Sequence, residues 1–357
     1  MPRWDADKSL SIRRTPLVRL NRVTDGAPTT VLLPGPRPTA DSDGGLPEIA
    51  ARLRELREAS QKRRYRSAPP ALPSREVVIK SVDGFVATLY PRHFGSSDLG
   101  AESVDEFVVR TLESALPALR RQIELELALH REWKGDDRID APPRAADIMS
   151  DFVAALPGVR TLLDADLRSA FAGDPSAKSI DEIVFCFPGF AAIIRHRLAH
   201  QLYKRGATMI ARIIAEHAHS ATGIDIHPGA EIGEGFFIDH GAGVVIGETA
   251  IIGRNVRLYQ AVTLGAKRLE PDALGALAKN YPRHPIVEDD VVIYAGATIL
   301  GRVTIGKGAS IGGNVWLTRD VPAGSSVTQA RARNEPFVEG EGSDARAAAT
   351  KHGRRTS

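Results

Sequence analysis

Cysteine is nearly absent: Cys186 is the one thiol in 357 residues, which excludes an intrachain disulfide and a zinc site built from thiolates. Long apolar runs are absent too. The most apolar stretch, "FCFPGFAAII" (185–194), is too short and too proline-broken to span a bilayer, so no membrane partner is expected and the cytoplasm is the expected compartment. Neither sign of charge dominates, with 47 basic against 44 acidic residues and a net +3. The basic clusters "QKRRYR" (61–66) and "HGRRTS" (352–357) are short and read as solvated faces, so no nucleic-acid partner is expected. What is present is a 43% apolar content, enough for a sizeable core in a chain of more than one domain.

Residues 1–45 mix Pro, Gly, Asp, Ser and Arg without a steady period and read as a flexible or poorly ordered tail. Ile49, Leu53 and Leu56, with charges between them, predict an amphipathic helix over 46–65. "SAPPALPS" (67–74) ends it as a stiff linker. Phe107, Val108, Leu112, Leu116, Leu119, Ile123 and Leu127 recur every three or four residues and predict a long core-facing helix from Val104 to Trp133. Further helices are expected over 144–171 and 189–218, so 46–222 forms an α-helical domain.

The rhythm then changes. Aliphatic residues fall at Ile226, Ile232, Ile238 and Val244, then at Ile246, Ile252, Leu258 and Leu264, then at Val287, Ile293, Ile299, Ile305, Ile311 and Leu317. Each series steps by six, which neither a helix nor an ordinary strand explains. Glycine often follows the aliphatic position, as in "IGEG", "IGET", "IGKG" and "IGGN", where a tight corner suits a residue without a Cβ. This is the hexapeptide signature of a parallel β-helix, and fourteen anchors at three per coil give between four and five coils. The fold class is therefore α+β, with the helical domain followed by a β-helix over 223–322 and a C-terminal tail over 323–357. The helical domain is expected to cap one end of the coils and the tail the other. An excursion loop over 265–286 interrupts the period, and loops thrown from a rigid scaffold are where sites tend to sit.

"GIDIHPGAEIGEGFFIDHGAGVVIGETAIIG" (223–253) and "YPRHPIVEDDVVIYAGATILG" (281–301) resemble the bacterial serine O-acetyltransferases, with "DIHP", "DHxxG", "GET" and "RHP" in the same order. The resemblance covers roughly 165–330, and 46–134, with "LYPRHFG" (89–95), resembles the N-terminal part of the longer, EpsC-type branch. It implies a left-handed β-helix, an acyltransferase that moves acetyl from acetyl-CoA to L-serine for cysteine biosynthesis, and a trimer or dimer of trimers with sites between neighbouring coils. The serine hydroxyl is un-ionised at neutral pH, and an imidazole near its own pKa is suited to taking its proton. No cysteine lies in the repeats to carry an acyl group, which favours direct transfer. His240 is thus the expected base, with Asp225 accepting a hydrogen bond from its other ring nitrogen; their spacing of 15 is near one coil of 18.

The resemblance also implies that Asp174, Asp239, Arg283 and His284 hold the amino acid: carboxylates for its ammonium, a guanidinium for its carboxylate. Gly265, Ala295, Gly313 and Lys307 are the candidates for acetyl-CoA, with Lys267 and Arg268 as further cations for its phosphates. Several residues have a plainer reading, and Lys267, Arg268 and Lys307 suit solvated charges. Asp174 precedes Pro175 and suits a turn, Arg283 and His284 suit a solvated loop, and His227 suits structural packing. His196 and His200 are four apart on a helix but lack a third ligand, and His217 and His219 suit a helix C-terminus. The glycine-rich loop usual after "VTLG" is replaced by "AKRLEPDALGALAKNY", which puts that loop's cosubstrate contacts in question. No metal is expected. The rival readings are transfer to a sugar or homoserine, a non-catalytic scaffold, and a hexapeptide-fold zinc enzyme with His227, His240 and His284 as ligands. The ending "GRRTS" departs from the isoleucine that closes the family's partner-binding tail, which counts against a cysteine synthase complex.

Overall fold

A computed structural model describes residues 45–65, 68–95, 103–134, 140–267, 277–278 and 281–329. The expected N-terminal and C-terminal tails and Arg268 lie wholly or largely outside these residues. The chain divides into two units, 1–68 and 69–357. Helix α1 (Gly45–Arg64) belongs to the first, and Leu46, Ile49, Leu53 and Leu56 are exposed on it.

In the second unit the helices are α2 (Arg75–Leu89), α3 (Pro91–Phe94), α4 (Val104–Lys134), α5 (Ala141–Gly173), α6 (Ile180–Cys186), α7 (Pro188–Lys204) and α8 (Thr208–Thr222). Ser74 caps α2 by accepting from the Val77 amide, and Ser179 caps α6 by accepting from the Glu182 amide. Where one helix is expected over 189–218, two form. Gly206, at φ 97, takes the left-handed turn that separates α7 from α8, and Ala207 packs fully buried behind it. Among the described residues no helix is long and apolar enough to cross a membrane.

Among the described residues fourteen parallel strands follow, each two or three residues long. β1 (Asp225–Ile226), β4 (Val245–Ile246), β7 (Thr263–Gly265), β10 (Thr298–Leu300) and β13 (Trp316–Leu317) stack as a first sheet. β2 (Glu231–Ile232), β5 (Ile251–Ile252), β8 (Ile286–Val287) and β11 (Thr304–Ile305) make a second. β3 (Phe237–Ile238), β6 (Arg257–Leu258), β9 (Val292–Ile293), β12 (Ser310–Ile311) and β14 (Ser326–Val327) make a third. The chain visits the sheets in rotation, which makes a β-helix. Ile226, Ile246, Leu264, Ile299 and Leu317 align in register and form one inward column of the core. Each such side chain contributes about 1.5–3 kcal/mol by leaving water.

The register corrects one anchor. Val244 is buried, but Ile246 is the residue paired with Ile226, a separation of 246 − 226 = 20, against 264 − 246 = 18 for the next coil. Both extra residues fall in the corner between β3 and β4, which also contains His240. Val327 on β14 supplies the fourteenth anchor instead.

The helices are fastened to the coils by a buried ion pair. Arg197 of α7 meets Asp166 of α5 at 2.6 and 2.8 Å and also donates to the carbonyls of Ile232 and Gly233, while the Phe236 amide donates to Asp166. Removing either partner would strand a buried charge at a cost of about 3–5 kcal/mol. At the junction, Gly223 (φ 70) ends α8 by donating to the His219 carbonyl and releases the chain into β1.

Candidate active site

His240 occupies the long corner between the third and first sheets. Its backbone is left-handed, at φ 58, and Gly241 and Gly243 follow at 88 and 77. Ala261 and Asn314 on later coils are left-handed as well, but Ala261 stacks on Gly243, so it is the two-residue insertion, not the repeating corner, that carries the left-handed backbone of His240. The His240 side chain is 71% exposed, with Nε2 3.9 Å from Asp239 Oδ1.

Two carboxylates reach the same corner. Asp174, just past α5, accepts from the Ser176 amide, and that turn, with Arg257 and His240 nearby, holds its carboxyl below the usual range. Asp239 accepts from Arg257 at 3.1 Å. Asp225, the expected partner of His240, opens β1 and pairs in register with Val245. Its carboxylate lies with Glu216 and His219 of α8, their ligand atoms within 4.8 Å of one another, and no hydrogen bond joins it to His240 in this structure.

Arg283 and His284 stand elsewhere, at the corner between the first and second sheets. Arg283 donates to Glu248 Oε2 at 2.5 Å, and its backbone amide donates to Thr249 Oγ1. His284 is buried against Gly247, where a Cβ would overlap the imidazole. Its Nδ1 accepts from the Thr249 amide at 3.0 Å, so the ring proton is on Nε2. Burial, then the Arg283 charge, brings the His284 pKa down to about 4. Tyr203 of α7 donates to the other oxygen of Glu248 at 2.8 Å and meets the His227 ring edge-on. Burial pushes the Glu248 carboxyl up, yet Tyr203 and Arg283 outweigh it and hold it below its ordinary value. His227, Glu248, Thr249, Arg283 and His284 thus share one corner, while His240 lies on another, so the three histidines of the zinc reading do not converge.

The cosubstrate candidates also divide. Ala295 and Gly313 continue the His240 corner along the stack: Ala261 donates to the Ala242 carbonyl, Gly296 to Gln260, and Asn314 to Ala295. Ala242, Ala261, Ala295, Gly296 and Gly313 give this strip small residues, beside the stacked rings of Tyr259 and Tyr294. Gly265 ends β7 at the His284 corner, and Lys307 lies at the third corner, its Nζ 3.5 Å from Asp290. Exposed Lys267 lies beside Gly301.

Sequence reasoning missed Arg257, Tyr203, and the roles of Glu248 and Thr249. Arg257 was within reach of the register: it pairs with Phe237, two residues before Asp239 on the preceding coil. Glu248 and Thr249 were visible only as the motif "GET". Tyr203 is on a helix and carries no repeat signal.

The family described as "Bacterial transferase hexapeptide (six repeats)" matches residues 284–319. A protein of Synechococcus elongatus named "Serine acetyltransferase, plasmid" is 54% identical over 276 residues, 76% of this chain and 86% of its own length. A serine acetyltransferase of Mycobacterium tuberculosis is 46% identical over 167 residues, 47% of this chain and 69% of its own. The crystal structure of serine acetyltransferase 1 from Entamoeba histolytica in complex with L-cysteine superposes with a TM-score of 0.60 at 35% identity, covering 79% of this chain and 97% of that one.

Proposed function

The chain belongs to the serine acetyltransferase family of acyltransferases, and we propose that it transfers acetyl from acetyl-CoA directly to the hydroxyl of L-serine with His240 as the general base. The observation that carries this is the exposed imidazole of His240 standing beside Asp174 and Asp239, at the head of the strip of small residues through Ala295 and Gly313. The two carboxylates take the ammonium of serine, and the strip takes the pantetheine arm of acetyl-CoA. His240 accepts the hydroxyl proton as serine oxygen bonds to the thioester carbon, and it returns that proton to the sulfur as the carbon–sulfur bond breaks. Asp225 holds the imidazolium once the ring turns toward β1. The L-cysteine held by the Entamoeba histolytica protein supports a pocket for a three-carbon amino acid.

Arg283 and His284 hold the serine carboxylate from a second copy, because in one chain they stand at a different corner from His240. Trimers with sites between neighbouring coils supply that copy. The reaction takes place in the cytoplasm, as a step toward cysteine.

Thiol release from acetyl-CoA tests the reading. It should rise with L-serine and not with homoserine or sugars; a rise with a sugar alone would overturn it. Mixing His240→Ala and Arg283→Ala subunits should restore part of the activity that each lacks alone, since mixed trimers contain intact pairs of corners. No recovery after verified subunit exchange would place the site within one chain.

A further inference from the structure

Among the described residues, Arg257 is the arginine that acts on both carboxylates of the His240 corner, and no motif of the sequence includes it. Its guanidinium lies 5.1 Å over the ring of Phe237, its register partner on the preceding coil, and 4.9 Å over the ring of Tyr259, two residues on in its own coil, so two aromatic contacts hold its plane. The group is only 26% exposed. Its one hydrogen bond among the described residues goes from Nη2 to Asp239 Oδ2, while Nε is buried without a partner. Gly173, the residue before Asp174, packs on Phe237, and a Cβ there would lie 3.6 Å from the guanidinium carbon. The end of α5 therefore approaches the coils at Arg257, and its charge helps hold the Asp174 carboxyl down, after the Ser176 turn.

We propose that Arg257 is a positioning and specificity-determining residue for the acceptor amino acid. It ties down one oxygen of Asp239, which leaves Oδ1 directed toward the His240 side of the corner. It also places one positive charge between two negative ones, so the corner presents one net negative charge and suits a single ammonium. A surface ion pair would do neither, because two long exposed side chains hold no fixed geometry. Arg254 and Asp289 make such a pair on the corner between the second and third sheets, with Arg254 61% exposed. This inference rests on the reading of the His240 corner as the serine site.

The test compares Arg257→Gln and Arg257→Lys with the wild type, with Arg254→Gln as the surface control. Arg257→Gln should raise the serine KM about tenfold while kcat and the acetyl-CoA KM stay within about twofold, the pattern of an interaction made equally before and during the reaction. Lysine keeps the charge without the planar face, so Arg257→Lys should fall between. It also stands in if the glutamine variant fails to fold, and an unchanged acetyl-CoA KM reports an intact coil stack. Inhibition by 3-hydroxypropionate, which is serine without its ammonium, should be unaffected. Adding Arg257→Gln to Asp239→Asn should raise the serine KM no further than Asp239→Asn alone, because the arginine acts through that carboxylate. Equal losses for serine and 3-hydroxypropionate, an additive double variant, or a serine KM unmoved in both Arg257 variants would each overturn the proposal and leave the serine reading standing. A wild-type protein that does not acetylate serine would overturn both.

Discussion

Two corners of the same coil stack carry the candidate chemistry, and they are built in opposite ways. At the His240 corner the chain has two residues more than the repeat requires, and the imidazole stands in the open with no hydrogen bond of its own among the described residues. At the His284 corner nothing is spare. Gly247 makes room for the ring, Thr249 fixes both its nitrogen and the chain that carries it, and Glu248 is shared between Arg283 and Tyr203. A proton carrier has to turn between donor and acceptor, whereas a carboxylate clamp gains from being fixed before its ligand arrives. The contrast is therefore what a division into a mobile base and a rigid clamp requires.

The largest expected effect breaks the open corner. His240→Ala should lower kcat by about 10²–10⁴ while leaving the acetyl-CoA KM unchanged, because it removes proton transfer and not the strip of small residues. Steady-state kinetics with serine varied at saturating acetyl-CoA would check it. A variant within about fivefold of the wild type would remove His240 from the chemistry.

A smaller effect is expected when the closed corner is broken. Gly247→Ala puts a methyl group where the His284 ring lies, and overpacking of this kind costs about 1–3 kcal/mol. The ring would move from the Thr249 amide, and loss of one charge-assisted contact to the serine carboxylate, about 1.5–3 kcal/mol, would raise the serine KM by roughly tenfold or more. The kcat should change much less. Loss of kcat at an unchanged serine KM would show that the two corners do not divide the work.

The sequence made much of this legible, and the reason is the repeat. A six-residue period fixes which side chains point inward, so the columns through Ile226, Ile252 and Leu258 could be written down before any coordinates. The same arithmetic misassigned Val244, because an insertion inside a corner changes the register without interrupting the aliphatic pattern. It also could not separate the corners. Motif order places "DHxxG" and "RHP" in one family site, but the sheet to which each corner belongs follows from counting strands across an excursion of irregular length. Contacts between helix and coil, such as Tyr203 with Glu248 or Gly173 with Phe237, have no period at all and were invisible.

The smallest expected effect sharpens the comparison by titration. An exposed histidine takes its proton near 6.5, but His284 is held down to about 4 by burial and then by Arg283, and His227 to about 4 by burial and then by Arg212. Between those two pH values the unfolded chain binds protons that the folded corner refuses. The stability contributed by these neutral rings is therefore complete above about 6.5 and is lost as the pH falls toward 4. Nuclear magnetic resonance of the ring nitrogens should show His284 as the Nε2–H tautomer at neutral pH, with a midpoint near 4. In Gly247→Ala the displaced ring gains water and loses the Thr249 amide, so its midpoint should move up toward 6.5. A wild-type midpoint already near 6.5 would mean that the corner opens in solution, and the clamp would then be no more rigid than the base it faces.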